Sequence, residues 1–477
     1  MLFDGRRNRV GGGVGLVKLK HVKDIAATGS HILRYQNGRG LDEVSGYSAG
    51  IQLRLSDGQQ VYLALSPTEL ALHFDSGSVL HYDLEGRLTK ISERDRYRHR
   101  GLSHRVLLTR KRAAEEGGGL ERTMALAEAC DLTVAVANVA TVRVHDEWRG
   151  AAAAVEFAKP SREVAAMLIA GHLERAAQFD VPEALESAEK FHTIYGRVAV
   201  LPPDQYNALL LQATEGCAYS GCLFCELYRG EFYGQKTPEQ FDQHVTAAVA
   251  FHGEGLRARR SIFLGEANAL ALPQATLLRS FRILNEHFEL PRPEQERVPA
   301  SWWLGSRTRF DGVSAFLDAF SGVQHTTAEF SALNELGLRR VYIGMETGSN
   351  ALLRWLCKPA TAEKVRRSVH ALKEANIAVG VIVLLGPGGH QFDLAHTQAT
   401  VELLNEMQLS AGDYIYFSPL VIYRGSRYEE QTKALGIEPL STEELSEQER
   451  RIRNGLRFDA RRGRPYVARY PLETFLY

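Results

Sequence analysis

Three of the five cysteines in this chain lie within nine residues, at Cys217, Cys222 and Cys225. A loop this short is not built for cross-linking the chain, so the spacing points to a shared inorganic ligand. Three thiolates can bind three irons of an iron–sulfur cluster, or a zinc ion that takes a fourth protein ligand or a water. Soft sulfur ligands gathered in one loop favour the cluster, with zinc as the alternative.

The elements that must position these cysteines alternate between apolar runs and helical patterns from residue 206 onward. Capping boxes at Thr237 and Thr326 mark the starts of two of the helices. Alternation of this kind predicts a parallel sheet, either an open doubly wound sheet or a partial barrel. The predicted strands cover 208–213, 260–265, 312–317, 339–344, 378–385 and 413–419.

Unusual segments follow five of these predicted strands. In parallel β/α folds the carboxyl ends of the strands meet on one rim, and function gathers there. We therefore expect the five segments to face a common cavity. They are the cysteine loop, 265–268, 344–348, 386–389 and 418–419.

The loop Cys217-x4-Cys222-x2-Cys225, with Phe224 before the last cysteine, resembles the cluster loop of the radical S-adenosylmethionine (SAM) superfamily. The resemblance covers about 206–425 and is closest to the branch that holds the methylthiotransferases and the oxygen-independent coproporphyrinogen oxidase. The commonest superfamily loop has one residue fewer between the first two cysteines. The resemblance implies a partial (β/α)6 TIM-type barrel, a [4Fe–4S] cluster, SAM, and an external flavodoxin- or ferredoxin-like electron donor.

The resemblance also implies roles for individual residues. The three cysteines would ligate three irons, and the fourth iron would chelate SAM. Phe224 would pack near the adenine, and Gly386 would let the backbone approach it. Glu266, after Gly265, would receive the SAM amino group, and Glu346 would contact the ribose.

The remaining candidates lie at or near predicted strand ends. Ser314 is a candidate for SAM binding, with a structural role as the alternative, and Asp318 is expected to face the cavity. Tyr416 and Tyr423 are candidates for a proton or hydrogen-atom donor. Cys357 could carry a methyl group or quench a radical, with a buried structural thiol as the alternative.

The implied activity is reductive cleavage of SAM to a 5′-deoxyadenosyl radical that abstracts hydrogen from an unidentified organic substrate. A second cluster would need further grouped cysteines, which the sequence lacks. This distinguishes the chain from the methylthiotransferases. Two alternatives stay open, an enzyme that modifies RNA or another nucleic acid and a non-catalytic zinc or iron–sulfur binding protein.

The first hundred residues are typical of an antiparallel sheet or open barrel, with short alternating segments separated by glycine-containing turns. Arg94, Arg96, Arg98 and Arg100 recur at every second position, so on a strand they would share one face. They indicate either a solvated edge strand protected by charge or a patch for phosphates. The predicted strands cover 50–56, 60–65, 70–75, 78–84 and 87–92.

Four domains are predicted from these patterns. A β-rich accessory domain covers 1–112, and a helical connector covers 113–205. The barrel covers 206–425, and a helical extension covers 426–477 and docks its aromatic end on the barrel.

The amino-acid composition argues against several classes of protein. Lys and Arg together number 57, as do Asp and Glu, so the neutral chain is not a general polyanion binder. No apolar run reaches the roughly 18 residues that a membrane span requires. The first residues show no apolar signal-peptide core. We therefore expect a cytoplasmic protein whose few cysteines are kept reduced.

Overall fold

The computed structural model describes residues 17–18, 31–37, 49–112, 120–152, 160–292, 308–320, 325–472 and 475–477. The chain divides into two compact units, Met1–Glu186 and Ser187–Tyr477. No helix among the described residues is long and apolar enough to cross a membrane. The predicted boundaries at 112, 205 and 425 stay predictions.

The first unit contains an antiparallel sheet in which each described strand pairs with the next along the chain. Gly58, Gly77 and Gly86 lie in its turns at φ of +89°, +90° and +83°, a conformation that glycine adopts without strain. The strands are β1 Val17–Lys18, β2 His31–Asn37, β3 Ala49–Arg54, β4 Gln60–Leu65, β5 Leu70–Phe74, β6 Ser78–Tyr82, β7 Leu88–Glu93, β8 Arg96–Arg100, β9 Val106–Lys111 and β10 Leu120–Ala125.

Helices cover one face of this sheet. They are α1 Ala127–Ala152, α2 Pro160–Gln178 and α3 Val181–Ile194, of which α3 reaches into the second unit. Leu63 and Leu72 from the sheet share one buried core with Trp148 and Ile169 from the helices. Alternation along each strand places apolar side chains on this face, so their burial drives the packing.

The arginine stripe differs from both of its sequence-based interpretations. The prediction of an edge strand is wrong, because β8 pairs with both β7 and β9. Arg94 lies in the preceding turn at φ +43° and not on the strand. Arg98 pairs with Glu93 at 3.1 Å, and the buried Arg100 donates to the carbonyl of Ala184 at 3.2 Å. The four side chains therefore do not form one exposed basic face.

The second unit is built on a parallel sheet whose strand order follows the chain. The six predicted strands are confirmed within two residues at either end, and with them the α/β partial-barrel fold. A seventh strand, β19, was not predicted. The strands of this sheet are β11 Leu209–Gln212, β14 Ile262–Gly265, β15 Val313–Leu317, β16 Leu338–Glu346, β17 Ala378–Leu385, β18 Tyr414–Pro419 and β19 Tyr466–Arg469, while β12 Thr214–Glu215 pairs with β13 Gly234–Gln235.

Helices of the second unit alternate with its strands, and the last two helices lie between β18 and β19. Thr237 and Thr326 form the two predicted capping boxes. The helices are α4 Pro238–His252, α5 Gln274–His287, α6 Thr327–Glu335, α7 Asn350–Trp355, α8 Ala362–Glu374, α9 Gly389–Glu406, α10 Arg427–Ala434 and α11 Thr442–Gly455.

Polar side chains hold the sheet together at the end where its strands begin. Asp204 accepts from Arg340 at 2.9 Å and from the hydroxyl of Tyr416 at 2.7 Å. The C-terminal Tyr477 hydroxyl accepts from the backbone N–H of Leu210 at 2.8 Å. These bonds tie the two ends of the unit's chain to the barrel strands.

Helix α9 offers a matched test of this core. Leu404 is buried at 2% exposure, whereas Leu394 on the same helix is 62% exposed. We expect Leu404→Ala to lower the free energy of unfolding by about 2–5 kcal/mol, because it removes buried methyl groups and leaves a cavity. Leu394→Ala should change it by less than about 0.5 kcal/mol. Urea denaturation of both variants measures this, and equal losses would contradict the packing described.

Candidate active site at the carboxyl ends of the barrel strands

A cavity of about 210 Å³ lies in the second unit where the parallel strands end. Asp318 follows β15, Glu346 ends β16, and Ser418 lies near the end of β18, and all three side chains line it. Parallel strands bring their carboxyl ends to one edge, which is why residues so distant in sequence meet here.

All three clustered cysteines line this cavity. Their loop is fixed to the end of α7, because the Leu223 N–H donates to the carbonyl of Leu356 at 2.8 Å. The Tyr219 hydroxyl donates to the carbonyl of Cys357 at 2.7 Å. These contacts fix the loop, so the thiols have a defined place in the cavity wall.

Burial controls the protonation of these thiols. It raises the pKa of Cys222 to about 12, and it also raises the pKa of Cys217 and of Cys225. Burial thus disfavours the bare thiolates, and a metal centre that binds a thiol displaces its proton and stabilises the thiolate in this wall. Among the described residues, no three histidine, cysteine or carboxylate side chains are close enough to hold a single ion. The donor set of three soft sulfurs fits an iron–sulfur cluster.

A buried ion pair lies beside the thiols. The ammonium of Lys358 is 2.6 Å from Oε1 of Glu346 and donates to the carbonyl of Gly344 at 2.7 Å. Burial lowers the pKa of Lys358, but the charges of Glu346 and Cys222 outweigh it and leave the pKa above its usual value. The side chain is therefore a permanent cation in the wall of the cavity.

The end of β16 is shaped to make this pair. A register shift between Gly344 and Glu346 turns the strand, and Glu346 has a φ of +59°. A Cβ at Gly344 would lie 2.5 Å from Oε1 of Glu346 and 3.0 Å from Nζ of Lys358, so a larger residue would displace the carboxylate from its position beside the ammonium. The bulge thus directs Glu346 into the cavity.

A second carboxyl, Glu266, lies behind the cavity wall. It accepts from the hydroxyl of Tyr228 at 2.8 Å and from the side-chain amide of Gln212 at 3.1 Å. Tyr228 lines the cavity, whereas Glu266 is not among the lining residues. Burial raises the pKa of Glu266 to about 7, against the hydrogen bonds from Tyr228 and Gln212, which lower it. Glu266 therefore changes protonation near neutral pH.

Comparison with known proteins gives a family match for this part of the chain. Residues 211–404 match the model of the radical SAM superfamily. The chain contains a radical SAM domain. For residues 211–404 the predicted superfamily is thereby confirmed, together with the radical SAM enzyme class and the superfamily's cofactor pair of a [4Fe–4S] cluster and SAM. No curated protein matches the chain.

Solved structures with some similarity to the chain include other radical SAM proteins. The methyltransferase TsrM from Kitasatospora setae is 16% identical, with 51% of this chain and 41% of that chain covered and a TM-score of 0.34. Coproporphyrinogen III oxidase (HemN) from Escherichia coli is 13% identical, with 55% and 53% covered and a TM-score of 0.35. The chain spans less than two thirds of either structure's length.

The structure divides the candidates of the radical SAM domain into two groups. Phe224, Glu346, Asp318 and Tyr423 line the cavity with the three cysteines. The others lie elsewhere and are not among the lining residues. They are Gly265 and Ser314 on their strands, Glu266 behind Tyr228, Gly386 with its N–H donating to Gln448, the exposed Cys357, and Tyr416 with its hydroxyl on Asp204.

Sequence reasoning missed two residues of the radical SAM domain that touch this site. Lys358 directly follows Cys357. A charged residue inside an otherwise apolar stretch is a signal that could have identified it as a candidate. Tyr228 lies three residues after the last clustered cysteine, and its sequence context indicates nothing about a bond to Glu266. Tyr228 and Glu266 are 38 residues apart in the chain. Lys358 and Glu346 are 12 residues apart, and their contact depends on the irregular end of β16, so only the fold reveals either pairing.

The raised pKa of Glu266 predicts a pH dependence of stability. The folded protein keeps a proton that the unfolded chain releases between pH 4.5 and about 7. This contribution is complete below the unfolded pKa and is lost as the pH rises through the folded one. The side chain of Glu266→Gln stays neutral at every pH. Between about pH 5 and 8, the free energy of unfolding of this variant should therefore rise by about 3 kcal/mol relative to that of wild type.

Urea denaturation across that pH range measures the difference between the variant and wild type. Glu443→Gln removes an exposed carboxyl from the same unit and is the matched control. The expectation fails if the stability difference between Glu266→Gln and wild type does not change with pH.

The buried pair predicts strong coupling between its two members. Lys358→Met leaves the Glu346 carboxylate buried without its cation, and we expect a loss of about 3–5 kcal/mol in the free energy of unfolding. Adding Glu346→Gln should recover most of this loss, because no isolated charge is then buried. Denaturation of the two single variants and the double variant measures the coupling, and simple additivity would contradict it.

Proposed function

We propose that Cys217, Cys222 and Cys225 ligate a [4Fe–4S] cluster and that SAM binds beside it in the cavity. When bound, the reduced cluster and SAM together supply a carbon-centred radical that removes a hydrogen atom from substrate. The observation that carries the proposal is the presence of all three thiols in one cavity at the carboxyl ends of the strands of a radical SAM domain.

Lys358 supports the cysteines electrostatically in this proposal. Its charge lowers the pKa of Cys222, against the effect of burial. Three thiolates collected in an apolar wall repel one another, and a buried ammonium offsets part of that repulsion. Glu346 and the Gly344 carbonyl hold the ammonium in place. Lys358 thus favours the deprotonated form that metal binding requires.

SAM contacts are assigned by position in the cavity. Phe224 and Glu346 line it and are proposed to contact the adenine and the ribose. Glu266 is proposed to act through Tyr228, whose hydroxyl donates a hydrogen bond to the Glu266 carboxyl. Gly265, Ser314 and Gly386 lie outside the lining, so their proposed role is to hold strand ends in place.

The rest of the cavity wall is suited to a radical reaction. Phe316, Phe320, Leu384 and Leu420 surround it with apolar surface, which excludes water from reactive species. Tyr423 lines the cavity and is 43% exposed. We assign Tyr423, rather than Tyr416 or Cys357, as the candidate proton or hydrogen-atom donor. The substrate is an organic molecule, and the electron donor is proposed to be a cytoplasmic flavodoxin- or ferredoxin-like protein.

Cysteine substitution tests the proposal directly. Cys222→Ala should abolish both stoichiometric iron and sulfide after anaerobic reconstitution and the formation of 5′-deoxyadenosine under dithionite, because one iron loses its ligand. Cys130→Ala is the matched control, since Cys130 is buried in the first unit. Metal analysis and chromatography of the SAM products provide the two readouts.

Two outcomes would contradict the proposal. Wild-type protein that binds zinc and no iron–sulfur cluster would favour a non-catalytic zinc protein. A cluster that forms without yielding 5′-deoxyadenosine would favour an iron–sulfur binding protein with no radical chemistry.

A further inference from the structure

The sheet of the first unit has a face turned away from α1 and α2, which we call the outward face. Leu63, Leu72 and Leu80 are cross-strand neighbours and belong to the core under the helices. Tyr62, next to Leu63, and His73, next to Leu72, therefore point the other way, because side chains alternate along a strand. Register extends this outward face from β3 to β10.

Aromatic and basic side chains form a continuous band across the outward face. The rings of Tyr62 and His73 lie 6.0 Å apart on adjacent strands. The Lys90 ammonium lies 5.1 Å from the centre of the Tyr97 ring. The aromatic–basic band consists of Tyr62, His73, His81, Lys90, Tyr97, His99 and Arg122.

The charge of the outward face differs from that of the whole chain. On the described strands β3 to β10, the charged residues at outward positions are Arg54, Lys90, Lys111 and Arg122, and none is acidic. Glu69, in the turn before β5, contacts the band through His81 at 3.2 Å. A net-neutral chain thus concentrates positive charge on one surface, which a polyanion would complement.

The imidazoles of the band favour stacking at neutral pH. Burial and the nearby charge of His81 lower the pKa of His73. Burial and the charge of Lys90 lower the pKa of His99. Both imidazoles are therefore uncharged at neutral pH, and their flat rings can stack with bases.

The arginine stripe lies on the opposite side of the same sheet. Arg98 is the cross-strand neighbour of the core residue Ile91, and Arg100 is that of Val106. Arg100 is buried, and its guanidinium lies 4.8 Å from the centre of the Phe179 ring. The basic stretch that is most visible in the sequence is thus partly occupied by contacts within the fold.

We propose that the aromatic–basic band binds single-stranded nucleic acid. Bases stack on Tyr62, Tyr97 and the neutral imidazoles, while Lys90 and Arg122 contact phosphates. Four strand spacings separate β4 from β8, roughly 19 Å at about 4.8 Å each, which leaves room for several bases between the two tyrosines. A duplex keeps its bases stacked inside, so rings on a sheet surface select unpaired strands. The proposal does not depend on the radical SAM activity.

Fluorescence anisotropy with the full-length chain tests this. The probes are labelled oligouridylate and oligothymidylate of about 16 nucleotides, and a labelled duplex. We expect both single strands to bind saturably at about 0.15 M salt, where charges more than roughly 8 Å apart are largely screened. Lys90→Gln with Arg122→Gln should weaken binding at least about tenfold and flatten the log–log salt dependence by about 1.4, for two lost phosphate contacts.

Two further variants separate stacking from charge. Tyr62→Leu with Tyr97→Leu should weaken binding without changing the salt slope, and the corresponding phenylalanine variants should restore it, because stacking needs only the ring. Arg94→Gln with Arg96→Gln removes equal charge from exposed positions off the band and should leave binding unchanged. Thermal unfolding of each variant must match wild type, and the single variants Tyr62→Leu and Tyr97→Leu serve if the leucine pair does not fold.

Four results would overturn the proposal. They are the absence of saturable binding, equal affinity for the duplex, equal losses in the Arg94/Arg96 control, and unchanged binding in the leucine pair. The last would show a plain polyanion surface. Binding of only RNA or only DNA supports the proposal and identifies the ligand.

Discussion

The buried charge of Lys358 is the constraint on which the site depends. An ammonium in a cavity wall is stable only beside an opposite charge, and the chain provides this with Glu346, whose carboxylate reaches it through a bulge in β16. The absence of a side chain at Gly344 leaves space for that carboxylate, and Glu346 itself has a left-handed φ of +59°. Charge balance, backbone shape and the position of the thiols are therefore linked.

Burial raises the pKa of acidic groups on both sides of this cavity, with different consequences. It raises the pKa of the three thiols, so they lose their protons only where a metal centre or a nearby cation such as Lys358 stabilises the thiolate. It also holds Glu266 near the midpoint of its titration, with Tyr228 between that carboxyl and the cavity. Burial thus shifts the pKa of both groups, while Lys358 and Glu346 contribute the charges in this wall.

The two units use their sheets differently. In the second unit the parallel strands are covered on their faces, and the candidate active site lies at their carboxyl ends. In the first, the antiparallel sheet buries one face under α1 and α2 and leaves the other with Tyr62, Lys90 and Tyr97. An antiparallel sheet permits this, because alternation separates apolar from polar side chains. A ligand surface is then available without any gap in the core.

The sequence by itself determined the fold class, the six predicted barrel strands and the cysteine loop. These depend on local signals: apolar periodicity, capping boxes at Thr237 and Thr326, and the spacing of three thiols. It could not predict β19, because a short aromatic segment becomes a strand only when β18 offers a free edge.

Tertiary structure alone decided which polar groups meet. Lys358 meets Glu346 through the irregular end of β16, and Tyr228 meets Glu266 where the segment after the clustered cysteines packs against the end of β14. It also decided which face each charge occupies. The arginines of β8 look like one basic stripe in the sequence, yet Arg100 is buried under α3, while Lys90 and Arg122 share the opposite face. Side-chain direction follows strand register, and register is set by partners that local sequence does not specify.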